Sequence, residues 1–394
     1  MFTVVKYFVW TLIYSVFLFL FYNQAYRADG KYPSDLPGHI NFISHLEDIA
    51  HPLWHYCVIF TSDLFHISLQ YAAIGFSSLL VLIIFVIINK ILNFTLDNEL
   101  NMLSKTTKTY VLLFVSFTLL TASAIYVPFF NKGIYLGQSA CGVWHNVTLL
   151  MVKPFAFLSM FFSILYIQNK DIKLFILGIL LTIMSIFAKP NFIIMFLPSL
   201  YLFVLYYIYK QEQKLVKNLL QIKKMFNTYR HIFIYLFVIT FFSLSILISQ
   251  FLAIFGGNNP IESKIIIDFL GVWSVYTPNV GISLLLIILF PLLTLIFVRH
   301  EKSDFYILSL IMFIISIVIY SVFAESGHRY YDGNFSWSMH ISYHLFFVFS
   351  VIEFLKNYQL LNHWTKYLLS ITLSLHILSG LLYLGKLLIG LHYV

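Results

Sequence analysis

The run Leu79-Leu-Val-Leu-Ile-Ile-Phe-Val-Ile-Ile88 lies inside residues 68–92, a segment with no acidic residue and a single lysine, Lys90. A soluble core helix requires no such length of apolar sequence. A helix rising 1.5 Å per residue needs about 20 apolar residues to cross a hydrocarbon core about 30 Å thick. Comparable runs lie near residues 4–22, 109–130, 147–167, 172–188, 191–209, 231–255, 281–298, 305–323, 338–355 and 367–391. The 394 residues are 60% hydrophobic, 19% aromatic and only 10% charged, and mean hydropathy is +0.87. Soluble domains carry about 25% charged residues. Strict apolar/polar alternation of the barrel kind is absent, and lipid leaves helices as the other way to satisfy the backbone. The expected fold is therefore all-α, a polytopic helical membrane protein with about 11 transmembrane helices in one integral membrane domain over residues 1–394. Residues 4–22 are read as a span, because the run is too long for a signal-peptide core and no small-x-small cleavage site precedes Arg27.

Charge sets the expected orientation. With the N-terminus inside, sixteen of the twenty-four Lys and Arg residues fall on the cytoplasmic side, Lys90, Lys105, Lys108, Lys210 and Lys224 among them. The positive-inside rule selects this arrangement, which leaves the C-terminus outside. It also accounts for the net charge of +8 without nucleic acid. The longest cytoplasmic connection, residues 210–230, mixes basic residues with Leu215, Leu219, Leu220 and Ile222 and reads as an interfacial helix on anionic lipid.

The remaining segments, 23–66, 131–146, 256–280 and 324–337, carry the chemistry. The first holds five of the sixteen acidic residues and five of the fourteen histidines. Its apolar stretches are parted by His51-Pro52, and a residue before proline disfavours the α region, so two short helices along the membrane surface are expected. Asp29 and Asp35 sit among Gly30, Pro33, Pro37 and Gly38, which fix a tight path for a carboxylate at the membrane–water boundary. Asp35 before Leu36-Pro37 equally reads as a helix N-cap. His45, Asp48, His51, His55, Asp63 and His66 have helical spacing that invites a zinc reading. Pro52 interrupts that face and no Cys-x-x-Cys or His-Glu-x-x-His accompanies it, so no metal is assigned. Cys57 and Cys141 both fall outside, and a disulfide between them is left open.

Further along, Gly142-Val-Trp-His145-Asn-Val-Thr148 leads into a span with Lys153-Pro154 about two turns deep, and Lys189-Pro190-Asn191 repeats the pairing at a hairpin end. A lysine at such depth requires snorkelling or an anionic partner. In Ala324-Glu-Ser-Gly-His-Arg-Tyr-Tyr-Asp-Gly-Asn-Phe-Ser-Trp337, Arg329 is one of four arginines in the chain. Its guanidinium suits bidentate capture of a phosphate, and pairing with Glu325 or Asp332 is the competing role. Asn146-Val-Thr and Asn334-Phe-Ser also match the glycosylation triplet.

A carboxylate just after the first span, cations in the other external loops and abundant aromatics together resemble the GT-C superfamily, multi-pass glycosyltransferases that use polyprenyl-phosphate sugars. The resemblance rests on Tyr32-Pro-Ser-Asp-Leu-Pro-Gly-His39, on Lys189-Pro190 and on the loop holding Gly327-His-Arg-Tyr and Gly333-Asn-Phe, which look like bacterial surface-polysaccharide members. It implies a catalytic Asp35, with Asp29 second, and substrate binding by His39, His145, Lys153, Lys189, His328, Arg329, Asn334 and Trp337. It further implies a polyprenyl-phosphate-linked sugar donor, a glycan or glycolipid acceptor, no cofactor, and a bacterial cytoplasmic membrane with the site facing outside. Inverting, single-displacement transfer follows from a base for the acceptor hydroxyl and cations for the departing phosphate. Two other readings stand beside it: a polysaccharide polymerase or ligase using polyprenyl-diphosphate glycans, and a transporter or flippase of lipid-linked sugars.

Overall fold

Side-chain oxygens cap the starts of six of the long helices. In the computed structural model, which describes residues 2–27, 31–48, 51–130, 137–212, 226–255 and 264–391, Ser68 accepts from the Tyr71 amide, Ser104 from Thr107 and Asn146 from Leu149. Asp171, Ser303 and Asn362 open later helices in the same way. Each cap satisfies one of the amides that a helix start leaves without a partner.

The helices in chain order are α1 (Phe2–Tyr26), α2 (Leu36–Phe42), α3 (Leu53–Phe65), α4 (Leu69–Thr95), α5 (Asp97–Leu100) and α6 (Lys105–Thr121). They continue with α7 (Val147–Asn169), α8 (Ile172–Ala188), α9 (Asn191–Glu212), α10 (Arg230–Phe255) and α11 (Gly271–Tyr276). The last four are α12 (Val280–Phe297), α13 (Asp304–Val322), α14 (Ser336–Asn357) and α15 (His363–Leu388). The chain is an all-α polytopic bundle. Among the described residues, nine helices are long and apolar enough to cross a membrane. The spans expected at 109–130 and 172–188 correspond to the 17-residue helices α6 and α8. α6 ends at Thr121, after which Ala122 turns extended and Ser123 bridges to Ala140, so the chain through residue 130 is a packed connector and not helix. The basic helix expected over 210–230 lies mostly outside the described residues.

Two helices form the centre of the bundle. The spans containing α7 and α14 are 83% and 94% buried, against 22% for α1. α7 is continuous through Pro154. Serines let the helices approach closely: Ser316 of α13 bonds Ser342 of α14 at 2.6 Å, and Thr182 of α8 reaches Ser159 of α7 at 3.2 Å.

The connection between α1 and α4 folds as two helical segments parted at Pro52. α2 continues into a 3-10 turn over Ile43–Asp48, and α3 begins at Leu53. β1 (Ile265–Ile267) and β2 (Phe323–Glu325) pair antiparallel in the register Ile265↔Glu325. Trp273 Nε1 donates to the Gly137 carbonyl at 3.0 Å, and Tyr330 donates to Asp268 at 2.7 Å. The segments containing Gly137, Asp268 and Tyr330 are thereby tied to one another at one end of the bundle. Cys57 and Cys141 are free thiols, and Cys141 is fully buried.

Candidate functional site at the converging helix starts

Proline places the central lysine. A residue before proline is driven out of the α region, so α8 stops at Ala188 and Lys189 is extended, with φ −169° and ψ 120°. α9 restarts at Asn191. The step turns the Lys189 side chain onto the start of α7, where Nζ donates to Thr148 Oγ1 at 2.9 Å and to Asn146 Oδ1 at 3.3 Å. Nζ also lies 5.1 Å from the centre of the Trp337 ring. Lys189 is 6% exposed, and no carboxylate is within ion-pairing distance of it among the described residues.

Asn146 joins that lysine to the candidate base. Its Nδ2 donates to Asp35 Oδ2 at 2.8 Å, while its Oδ1 caps α7 and accepts from Lys189 and Thr148. Asp35 stands at the N-cap position of α2, yet its side chain makes no capping bond; Ser34 Oγ takes the Leu36 amide instead, at 3.1 Å. The carboxylate is thus directed to Asn146 and not to its own helix. Backbone bonds fix the approach, with the Asp35 amide and Ser34 Oγ both donating to the His145 carbonyl at 3.1 Å.

The 324–337 loop continues the same network. Trp337 Nε1 donates to Asn334 Oδ1 at 3.4 Å, and Asn334 Nδ2 donates to Glu325 Oε2 at 2.8 Å. Arg329 Nε faces Glu325 at 3.1 Å and Asp332 at 3.7 Å. Asn191 at the start of α9 binds the Asn334 carbonyl at 2.7 Å, and its own carbonyl accepts from Ser338 at 2.9 Å. α7, α9 and α14 therefore all present their N-termini to this network. The partial positive charge of each helix start favours an anion there.

Four histidines surround the network in neutral form. His39 Nδ1 is 3.2 Å from His55 Nε2, and the His39 ring lies 5.8 Å from that of Trp54. Burial, then His55 and Lys189, push the pKa of His39 down to about 3. Burial, then Lys189 and the neighbouring His39, His55 and Arg329, do the same for His51, also to about 3. Burial lowers His55 to about 4 and His145 to about 4, the latter against an opposing pull from Asp35. Burial likewise lowers Lys189 to about 8, with Asp35 raising it and Arg329 lowering it. His51 Nδ1 is buried without a hydrogen-bond partner among the described residues.

A pH dependence of stability follows. Folded, these histidines bind protons only at about 3–4, whereas unfolded ones do so at about 6.5. Below about 6.5 the unfolded chain holds more protons, so the stability present above that pH is lost as pH falls towards the folded values. Thermal unfolding in detergent is expected at a clearly lower temperature at about pH 4.5 than at about pH 7.5. A His39→Gln, His55→Gln double variant should show a smaller drop, and an equal drop would assign the acid sensitivity elsewhere.

The structure brings Asp35, His39, His145, Lys189, Arg329, Asn334 and Trp337 to one end of the bundle. Lys153 is not joined to them: it is 1% exposed inside α7, and its ammonium is bound by the Cys141 carbonyl. Asp29 and the side chain of His328 lie outside the described residues. The sequence reading does not include Asn146, Thr148, Asn191 or Glu325 among the site residues, and Asn146 enters it only through a glycosylation triplet of a kind frequent by chance. At 5% exposure that amide belongs to the interior. Its position one residue before an apolar helix was the available signal, since an N-cap asparagine has its oxygen committed to the backbone. Comparison of the chain with protein-family models, with curated proteins and with solved structures gave no match.

Proposed function

We propose that this protein is a membrane-embedded inverting glycosyltransferase of the GT-C kind, moving a sugar from a polyprenyl-phosphate donor to a glycan or glycolipid acceptor at the outer face of a bacterial cytoplasmic membrane. The observation that carries the reading is the Asp35–Asn146–Lys189 linkage. It holds a carboxylate and a buried cation on opposite sides of one amide, at the end of the bundle that the positive-inside rule assigns to the outside.

The chemistry needs both groups. Asp35 accepts the proton of the acceptor hydroxyl as its oxygen forms the new bond to the anomeric carbon. The bond from that carbon to the phosphate oxygen breaks on the opposite face, and the electron pair leaves with the polyprenyl phosphate. Lys189 and the starts of α7, α9 and α14 lower the energy of the departing anion, while Arg329 is held by Glu325 and Asp332, the competing role for its guanidinium. A single phosphate is within the capacity of these fixed charges, so the proposed reaction uses no metal. Transport fits less well, because transporter sites lie at broken helices near the bilayer midplane, whereas this network sits at helix starts.

Two experiments test the reading. Purified protein is incubated with a panel of polyprenyl-phosphate sugars and candidate acceptors, and products are read by mass spectrometry; no transfer from any donor would count against it. Orientation is tested by cysteine labelling in intact cells. Phe129→Cys, at a position 90% exposed, is expected to react with an impermeant reagent from outside, and Met102→Cys, at one 94% exposed, only after permeabilisation. The reverse pattern would put the Asp35 network on the cytoplasmic side and remove the polyprenyl-phosphate donor from consideration.

A further inference from the structure

A cavity of about 760 Å³ lies between α4 and α7, bordered by Val86, Lys90, Asn93, Asp97, Leu158 and Phe161, among others. α4 begins next to the first external loop, so its last turns stand at the opposite end of the bundle from Asp35. Leu158 and Phe162 lie about 16–23 Å along α7 from its start at the network, at 1.5 Å per residue. The glycosyl-transfer site does not extend to this place.

The lining divides sharply by chemistry. Towards the middle of the bundle it is aliphatic and aromatic, with Phe94 set edge-on to Phe161 at 5.1 Å and Phe161 stacked on Phe305 at 5.1 Å. Towards the end of α4 it is polar, with Lys90, Asn93, Asp97 and Asn98. Asp97 is already neutralised by Lys108 at 2.7 Å. Lys90, Asn93 and Asn98 make no side-chain hydrogen bond or ion pair with any described residue. The mouth therefore carries one uncompensated positive charge and two amides, each able both to donate and to accept. The slot beneath has the volume of a small-ligand site.

We propose that this groove binds one anionic glycerophospholipid of the phosphatidylglycerol class. An acyl chain lies against Ile87, Phe94, Leu158 and Phe161, the phosphodiester meets Lys90, and the headgroup hydroxyls meet Asn93 and Asn98. Charge complementarity selects this class: at this end of the bundle Lys90, Lys105 and Lys108 outnumber Asp97 and Glu99 by one, so a headgroup with one net negative charge restores the balance, whereas a zwitterionic one leaves it.

The full chain, purified and delipidated in detergent, is offered dioleoyl-phosphatidylglycerol or dioleoyl-phosphatidylcholine, and retained lipid is counted by native mass spectrometry. One phosphatidylglycerol per chain is expected to survive activation that strips phosphatidylcholine. Lys90→Gln should lower its affinity about tenfold, the effect of losing one charge-assisted contact. Val86→Trp, which fills the slot without changing charge, should lower it with Lys90 intact, while Lys366→Gln on the exposed start of α15 should leave it unchanged. Equal retention of the two lipids, or retention unaffected by both groove variants, overturns the proposal. Displacement of the lipid by glycerol 3-phosphate alone would overturn it too, since the binding would then owe nothing to the apolar slot.

Discussion

Asp35→Asn is expected to slow sugar transfer by about 10²–10⁴-fold, the usual worth of a general base, while donor binding and folding persist. The substitution keeps size and shape and removes only the basicity. Folding should tolerate it, because the Asp35 side chain does not cap α2 and its backbone bonds to His145 and His39 do not involve the carboxylate. The new amide can still present an oxygen to Asn146 Nδ2. Turnover measured with saturating polyprenyl-phosphate sugar, alongside donor affinity, separates the two roles. Ordinary turnover in Asp35→Asn, with loss in Asp29→Asn, moves the base to Asp29; ordinary turnover in both would falsify the mechanism.

Lys189→Met is expected to weaken donor binding by about 10–100-fold, the range for losing a hydrogen bond from a charged group. The unbranched thioether can fill the space of the lysine stem against Trp337, so the variant tests the charge. Burying a cation without an ion pair is unfavourable, so the variant should unfold no earlier than the parent and will separate binding from stability. The pH profile adds a second readout. Burial holds the Lys189 pKa at about 8 in the unliganded chain, so the cation is present below that value and lost above it. Donor binding to the parent protein should weaken as pH rises through about 8, and in Lys189→Met that fall should vanish. An unchanged pH profile in the variant would mean that another group, not Lys189, carries the charge that meets the donor.

The amino-acid sequence by itself determined the all-α membrane architecture, because hydropathy over a span is a local sum that lipid reads directly. It also determined the break at Pro52, since proline acts on its immediate neighbour through sterics. Partner choice was left to the tertiary structure. Lys153-Pro154 and Lys189-Pro190 are the same dipeptide, yet one lies within continuous α7 with its ammonium on Cys141, and the other ends α8 and reaches Asn146 and Thr148. Asp35 had a local use as a cap and a distant one at Asn146, 111 residues along the chain, and took the distant one. Such contacts depend on which helix starts the packing of α7, α9 and α14 brings to one end, and no property of a single segment encodes that.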